Sequence, residues 1–352
     1  MAWISLLFVI STAFSAPLPV FMSKYSPESI RYISMDGRYA YIQKKAGVLG
    51  LVTNFKSIDF ISESEKTTFL VTGSQAKNRL AIESIPNTHT EMNLLKNHLI
   101  RIVDYGNVKT REIGQGRSPK LHLQDEWISY FDMLSKEIKI QNLITTKAYS
   151  IKTIKKDNPF FIPEVEMVSA QYVVYTDINS DGYSALIQHD LLSGKATVLQ
   201  KSSQSATRIE LCSSNGYLAY GEFPYEGVQR ASTIQQVKLT GGVNLASATT
   251  IYESNSQDLG NMVCLQDAIY FVKTLHSDDS INHKVTEAVR LDLQTLGIQV
   301  KTGLKNVAQI IEMDGRVLIP YRGDLLVLEG KNDLATDVLN KKVNNEELQL
   351  DI

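Results

Sequence analysis

The chain has 352 residues, 43% of them hydrophobic and 21% charged, so it holds enough apolar material for a packed core and suits one large repeat fold or two ordinary domains. Lys and Arg number 36 against 38 Asp and Glu, a net charge of −2, which gives neither a basic nucleic-acid footprint nor an acidic tail. With 20 Gly and 9 Pro, collagenous and low-complexity classes are excluded as well.

The chain opens on a short apolar run, Ile4 to Ile10, followed by the small residues Ser11, Thr12, Ala13, Ser15 and Ala16. The run is shorter than the roughly 20 residues a membrane-crossing helix needs. It fits the apolar segment of a secretory signal peptide over residues 1–15, with the small Ala13 and Ser15 ahead of a cleavage site after Ser15. No Lys or Arg precedes the run, and the alternative is an N-terminal strand that places Phe8 and Ile10 in the core. Export implies a periplasmic or secreted protein. No later stretch is apolar enough to span a membrane.

From there the pattern is that of short strands: Val, Ile, Tyr and Thr alternate with polar residues over four to eight positions between turn residues. Met35-Asp36-Gly37-Arg38-Tyr39-Ala40-Tyr41 is a tight turn followed by a strand that ends on a large residue. The same form recurs at Asp125–Tyr130, Ala170–Tyr175, Asn215–Tyr220, Gln266–Tyr270 and Met313–Ile319. The anchoring residues from Tyr130 through Tyr175, Tyr220 and Tyr270 to Ile319 are 45, 45, 50 and 49 residues apart. The gap of 89 between Tyr41 and Tyr130 leaves room for one more copy, best matched by Thr67–Thr72. Only Thr90 to His98 has two turns of helical spacing. After Ile319 one clear strand remains, Asp324–Leu328, and residues 331–352 read as a polar tail, frayed or a short helix carrying Leu334, Val338 and Leu339.

A period of 40 to 50 residues holding about four strands marks a β-propeller, because a single small twisted sheet buries its faces only by stacking against copies of itself in a ring. Residues 16–330 divided among seven blades give 45 residues each; six or eight blades are the alternatives. The short last repeat leaves an open edge, and residues near Val20 to Tyr25 are expected to complete it.

The turn and strand at Met35–Tyr41 resemble the repeat of the TolB-like propeller, a relative of WD-type repeats. Asp36, Gly37, Ala40 and Tyr41 carry the match, with Gly216, Ala219 and Tyr220 in the middle of the chain and Asp314 and Gly315 near its end. The Ser-Pro pair of that repeat is missing here. The resemblance implies a periplasmic scaffold that binds proteins or small ligands at the mouth of a central channel.

Several residues are candidates for chemistry. Asp177-Ile178-Asn179-Ser180-Asp181-Gly182 has the alternating oxygen ligands and the glycine that open a calcium loop, so Asp177, Asn179 and Asp181 are candidate calcium ligands; the alternative is a polar hairpin turn. Tyr217, Phe223 and Tyr225 are placed on blade-connecting loops as a protein or sugar contact, with aromatic packing between blades as the alternative. Lys152, Lys155 and Lys156 read as a solvated face, and His276 with His283 as a solvated loop. The phosphate-loop and serine-elbow motifs are absent. Cys212 and Cys264 sit in similar apolar runs 52 residues apart; equivalent positions of neighbouring repeats are expected to be too distant for a disulfide, so two buried free thiols are the expectation. Taken together, these features lead to the expectation of an exported, non-enzymatic propeller whose partner is a cell-envelope protein or a small ligand, with no nucleic acid and no integral membrane segment. The alternative is a propeller hydrolase or lactonase, with calcium as its cofactor.

Overall fold

The computed structural model describes the strands between residues 30 and 328 together with the connections at 97, 123–126, 133–136, 143–147, 153, 161–164, 168–171, 191–195, 216, 239, 242–248, 293 and 295. The expected signal peptide, the strand at Val20–Tyr25 and the tail at 331–352 lie outside the described residues.

The first sheet runs Ile30–Ile33 (β1), Tyr39–Gln43 (β2), Leu49–Thr53 (β3) and Ser57–Phe60 (β4). A seven-stranded sheet follows, from Thr68–Gln75 (β5), Arg79–Pro86 (β6) and His98–Asp104 (β7) through the long Lys109–His122 (β8) to Trp127–Asp132 (β9), Glu137–Asn142 (β10) and Ala148–Lys152 (β11). Three four-stranded sheets come next. They are Val165–Met167, Tyr172–Ile178, Tyr183–Asp190 and Ala196–Ser205 (β12–β15); Thr207–Ser214, Tyr217–Pro224, Ser232–Lys238 and Thr249–Ser254 (β16–β19); and Leu259–Leu265, Ala268–Leu275, Val285–Asp292 and Ile298–Lys305 (β20–β23). A three-stranded sheet, Ile311–Met313 (β24), Arg316–Tyr321 (β25) and Asp324–Leu328 (β26), ends the described chain. Every strand pairs antiparallel with its chain neighbour, so each sheet is a meander. This is an all-β propeller. Four of its sheets have four strands, fewer than the seven blades expected from the sequence.

The period-2 geometry of a strand explains how these sheets stack. In β13, Val173 and Tyr175 pack toward Trp127, Phe131, Ile138 and Ile140 of the preceding sheet, while Val174 between them packs toward Ile209, Leu211, Leu218 and Tyr220 of the following one. In β17 the alternation repeats: Leu218 and Tyr220 face back, and Ala219 and Phe223 face Met262, Ile269, Phe271 and Val289 ahead. A strand buried on both faces needs apolar residues at successive positions, which is why Tyr172–Ile178 reads as an almost unbroken run. Burial falls off along each meander: β12 is wholly buried, β13 nearly so, and β11 and β19 at the far edges are largely exposed. The first strands lie next to one another in succession, β8 against β12, β12 against β16, β16 against β20 and β20 against β24, which is the hub of a propeller.

The long strand β8 belongs to two packing layers. Its residues 109–116 pair with β7, and its residues 117–122 pair with β9. Between them Ser118 adopts φ 49°, left-handed for a residue with a Cβ. Ala81, Ile100 and Ile102 from one half of the sheet then pack with Leu121, Ile128 and Leu143 from the other. Two guanidiniums tie the halves further: Arg79 donates to the Asp125 carbonyl at 2.7 Å and Arg111 to the Leu143 carbonyl at 3.2 Å.

The anchoring residues of the sequence repeat, Tyr41, Tyr130, Tyr175, Tyr220, Tyr270 and Ile319, fall on β2, β9, β13, β17, β21 and β25, each the strand that follows the innermost one. The copy sought at Thr67–Thr72 is instead a first strand, β5. The matching second strand is β6, where Arg79-Leu80-Ala81-Ile82 parallels Tyr217-Leu218-Ala219-Tyr220. The expected helical turns do not extend to His98, which begins β7; residues 90–96 lie outside the described residues.

The two cysteines correct an expectation. Cys212 and Cys264 form a disulfide, with Cα atoms 5.4 Å apart. Both lie on innermost strands, β16 and β20, and innermost strands of adjacent sheets are the closest part of a propeller. The spacing that separates outer strands of neighbouring blades brings hub strands within bonding distance.

Candidate hub site

The hub carries a polar cluster built from three successive sheets. Lys120 on β8 donates through Nζ to Glu166 Oε2 on β12 at 2.5 Å, and Ser213 on β16 donates through Oγ to Glu166 Oε1 at 2.6 Å. Burial pushes the Glu166 carboxyl up, but the Lys120 charge and the hydrogen bonds from Lys120 and Ser213 outweigh it and hold the group below its ordinary range. Lys120 remains a third exposed, so the pair presents its positive end to solvent. One sheet further on, Glu210 of β16 accepts the Met262 backbone N–H of β20 at 2.9 Å. Carboxylates on the first strands thus stitch one sheet to the next.

Beneath this pair His122 is buried, with its pKa lowered to about 4 by burial against the opposing pull of Glu166. Its Nε2 stands 2.8 Å from Ser129 Oγ, and its Nδ1 faces the Met167 N–H at 3.5 Å. A neutral ring that accepts at Nδ1 carries its proton on Nε2 and donates it to Ser129. A general base needs the reverse, a lone pair aimed at the hydroxyl. Ser129 is 1% exposed, and the Glu166 oxygens are engaged by Lys120 and Ser213. Ser129 and His122 are both buried where β8, β9 and β12 meet.

A second buried network closes the bend in β8. Glu83 on β6 is wholly buried and receives Arg117 Nε at 2.5 Å, the Ser118 backbone N–H at 2.7 Å and His98 Nδ1 at 2.6 Å. An interior carboxylate with three partners fixes the place where the chain turns from one layer to the next.

The candidate residues do not gather at one place. Asp177 lies one residue before the end of β13, is fully buried, and accepts the Ile178 N–H at 2.8 Å; Asn179 and Asp181 lie outside the described residues. Burial, with the charge of Asp177 adding to it, raises the Tyr175 hydroxyl pKa. Among the described residues no three His, Cys, Asp or Glu side chains stand together as a metal site. Phe223 is not on a connecting loop: it lies within β17, is 1% exposed, and covers Gly221, where a Cβ would meet its ring at 2.1 Å. Tyr217 is half-buried at the opposite end of the same strand, six residues and therefore about 20 Å away. Tyr225, Lys155, Lys156, His276 and His283 lie outside the described residues, and Lys152 is exposed at the end of β11. The Lys120–Glu166–Ser213 cluster was not among the candidates. Its members are 46 and 47 residues apart, close to one repeat, which is the spacing that places equivalent strands side by side at a hub.

No protein-family model and no curated protein matches the chain. Among solved structures it is similar to the tricorn protease, with 12% identity and a TM-score of 0.55 over 87% of this chain and 34% of that one. It is also similar to a prolyl endopeptidase, with 10% identity and a TM-score of 0.57 over 87% of this chain and 51% of the other. The β-propeller domain of the Trilobed protease from Pyrococcus furiosus aligns with 13% identity and a TM-score of 0.51, over 77% of this chain and 83% of that domain. The chain thus spans about a third and about half of the two peptidases, and what it shares with all three is the propeller fold. Among the described residues no helix is long and apolar enough to cross a membrane.

Proposed function

We propose that this chain is an exported propeller of seven blades that binds a cell-envelope protein or a small ligand at its hub, without catalysing a reaction. The reading rests above all on the hub cluster: an ionised Glu166 fixed by Ser213, with the Lys120 ammonium a third exposed beside it, is built to present a charge and not to transfer a proton. For the blade number, the bend at Ser118 and the face-to-face packing of Ile100 and Ile102 on Ile128 support counting the seven-stranded sheet as two blades run together through β8. The disulfide supports export, because such bonds persist in oxidising compartments. Hydrolase or lactonase chemistry gains no support from the Ser129–His122 pair, which is buried away from solvent. Calcium, if it is taken up, uses Asp177, Asn179 and Asp181 and stiffens the connection between β13 and β14.

The test is capture from an envelope extract with the purified chain, alongside a Lys120→Glu variant. One stoichiometric partner retained by the chain, and at least tenfold less by the variant, is the expected result. Equal capture by both, or turnover of a chromogenic ester by the chain alone, overturns the reading. For the metal, an unchanged melting temperature in calcium against chelator removes calcium from it.

A further inference from the structure

Two adjacent sheets carry the same exposed turn. The turn from β10 to β11 and the turn from β14 to β15 each begin on an Asn or Asp whose side-chain oxygen accepts two backbone N–H groups. Asn142 Oδ1 accepts from Ile144 at 3.0 Å and Thr145 at 2.7 Å, and Asp190 Oδ1 accepts from Leu192 at 2.9 Å and Ser193 at 3.3 Å. The first residue of each turn is tucked in: the buried Leu143 donates its N–H to the Glu126 carbonyl at 2.7 Å, and the buried Leu191 donates to the Gln171 carbonyl at 2.8 Å. The next residue stands out, Ile144 63% exposed and Leu192 66%. Such a turn does not require an aliphatic side chain there, since the sequence has Gln294 two residues after Asp292, which also caps its turn by accepting from Thr295. Each turn then closes on an exposed lysine, Lys147 over the Tyr149 ring and Lys195, whose carbonyls accept the Asn142 and Asp190 N–H groups. The two turns lie on one face of the ring. Both join a third strand to a fourth, and the first strands of the two sheets end together where His122 meets the Met167 N–H.

We infer that this face docks on an anionic lipid bilayer, with Ile144 and Leu192 entering the headgroup layer and the lysines beside them set against lipid phosphates. The charge is complementary. Lys238, exposed at the end of β18, adds a third lysine at the same end of the next sheet. Of the acidic side chains in these turns Asp125 is buried and Asp190 is engaged by Leu192 and Ser193, which leaves Glu126 exposed. The distribution of apolar surface also favours lipid. Ile144 and Leu192 stand on separate sheets, each among exposed polar neighbours, Thr145 and Thr146 on one and Ser193 and Gly194 on the other. A protein interface needs a continuous desolvated patch at its core, whereas a fluid headgroup layer closes around each tip by itself. Leu134, 75% exposed, tops the turn from β9 to β10 at the opposite end of its sheet and so provides an internal control. None of the hub residues takes part in this surface.

Vesicle sedimentation tests the inference on the chain purified without its apolar residues 1–15. At low salt, vesicles of phosphatidylcholine with about a third phosphatidylglycerol are expected to bind it roughly tenfold or more tightly than pure phosphatidylcholine, since each lysine near an anionic surface contributes about fivefold. The double variant Ile144→Ser with Leu192→Ser and the double variant Lys147→Gln with Lys195→Gln are each expected to lose about tenfold in binding. Leu134→Ser and Lys120→Glu are expected to bind like the parent, and the second of these keeps the outcome separate from that of hub capture. No binding by the parent, equal binding to neutral and anionic vesicles, unchanged binding by either double variant, or an equal loss in Leu134→Ser overturns the inference. So does a dimer seen by sedimentation velocity without vesicles and abolished by Ile144→Ser with Leu192→Ser, because the tips would then serve a second copy of the chain.

Discussion

Cys212 and Cys264 join the innermost strands of two adjacent sheets, closing a loop of 52 residues at the hub. The bond lies at the edge of the apolar layer formed by Ala219, Phe223, Ile234, Phe271 and Val289, so it cross-links a contact that packing already makes. In the chain-entropy account a loop of this length is worth about 4 kcal/mol. Reduction, or the pair Cys212→Ser and Cys264→Ser, is expected to lower the free energy of unfolding by about that amount in urea titrations with and without reductant. A loss under about 1 kcal/mol would mean that the sheets are held by packing alone.

Glu83 is a carboxylate that cannot lose its partners cheaply. It lies fully buried with Arg117 and His98 on it and the Ser118 N–H beside them. Removing one member of a buried charged network costs about 3–5 kcal/mol because the remaining charge stays in the interior. Glu83→Ala is expected to destabilise the chain by that amount, and Glu83→Gln by less, since an amide oxygen still accepts from Ser118. Chemical denaturation of the two variants checks the order; if both equal the parent, the bend in β8 does not depend on the carboxylate.

What the sequence disclosed and what it hid follow from the same geometry. Tyr130, Tyr175, Tyr220 and Tyr270 mark second strands because those strands are packed on both sides, and packing on both sides constrains residue type at every position. The copy at Arg79–Ile82 escaped because no glycine turn precedes it and Ile82, like Ile319, stands where Tyr130, Tyr175, Tyr220 and Tyr270 do. A second periodic signal went unread: Asn142, Asp190 and Asp292 each open a turn after a third strand, accepting N–H groups two or three residues on with the same side-chain oxygen. The hub cluster was hidden because no local motif joins Lys120, Glu166 and Ser213; only the repeat length does. Phe223 was misplaced because the neighbouring Pro224 reads as a loop marker, although it ends the strand, and the small Gly221 leaves room for the ring.

Gly221 and Phe223 supply a sharp packing test. A methyl group at Gly221 would sit inside the Phe223 ring, which is itself enclosed by the next sheet. Overpacking of this kind costs about 1–3 kcal/mol, and emptying the site with Phe223→Ala costs about 3–5 kcal/mol. The double variant Gly221→Ala with Phe223→Leu is expected to be less destabilised than the sum of its single changes, because the smaller side chain leaves space for the methyl. Strict additivity in a thermal denaturation series would mean that the two residues do not share one space.

His122 sets a pH dependence whose direction follows from its burial. Its pKa is about 4 in the folded chain, against 6.5 for an exposed imidazole, since the interior between β8, β9 and β12 disfavours the cation despite Glu166 nearby. Above pH 6.5 the ring is neutral folded and unfolded, and its full contribution is present. Between 6.5 and 4 the unfolded chain takes up a proton that the folded chain refuses, so stability falls as the solution is acidified, by about 3 kcal/mol from a shift of this size. Glu166, held below its ordinary range, adds a loss of the same sign at lower pH still. Replacing His122 with Gln keeps a polar group near Ser129 and removes the titration. Urea midpoints from pH 7.5 to 4.5 are therefore expected to fall more steeply for the parent than for His122→Gln, and parallel curves would show that His122 is solvated in the folded protein.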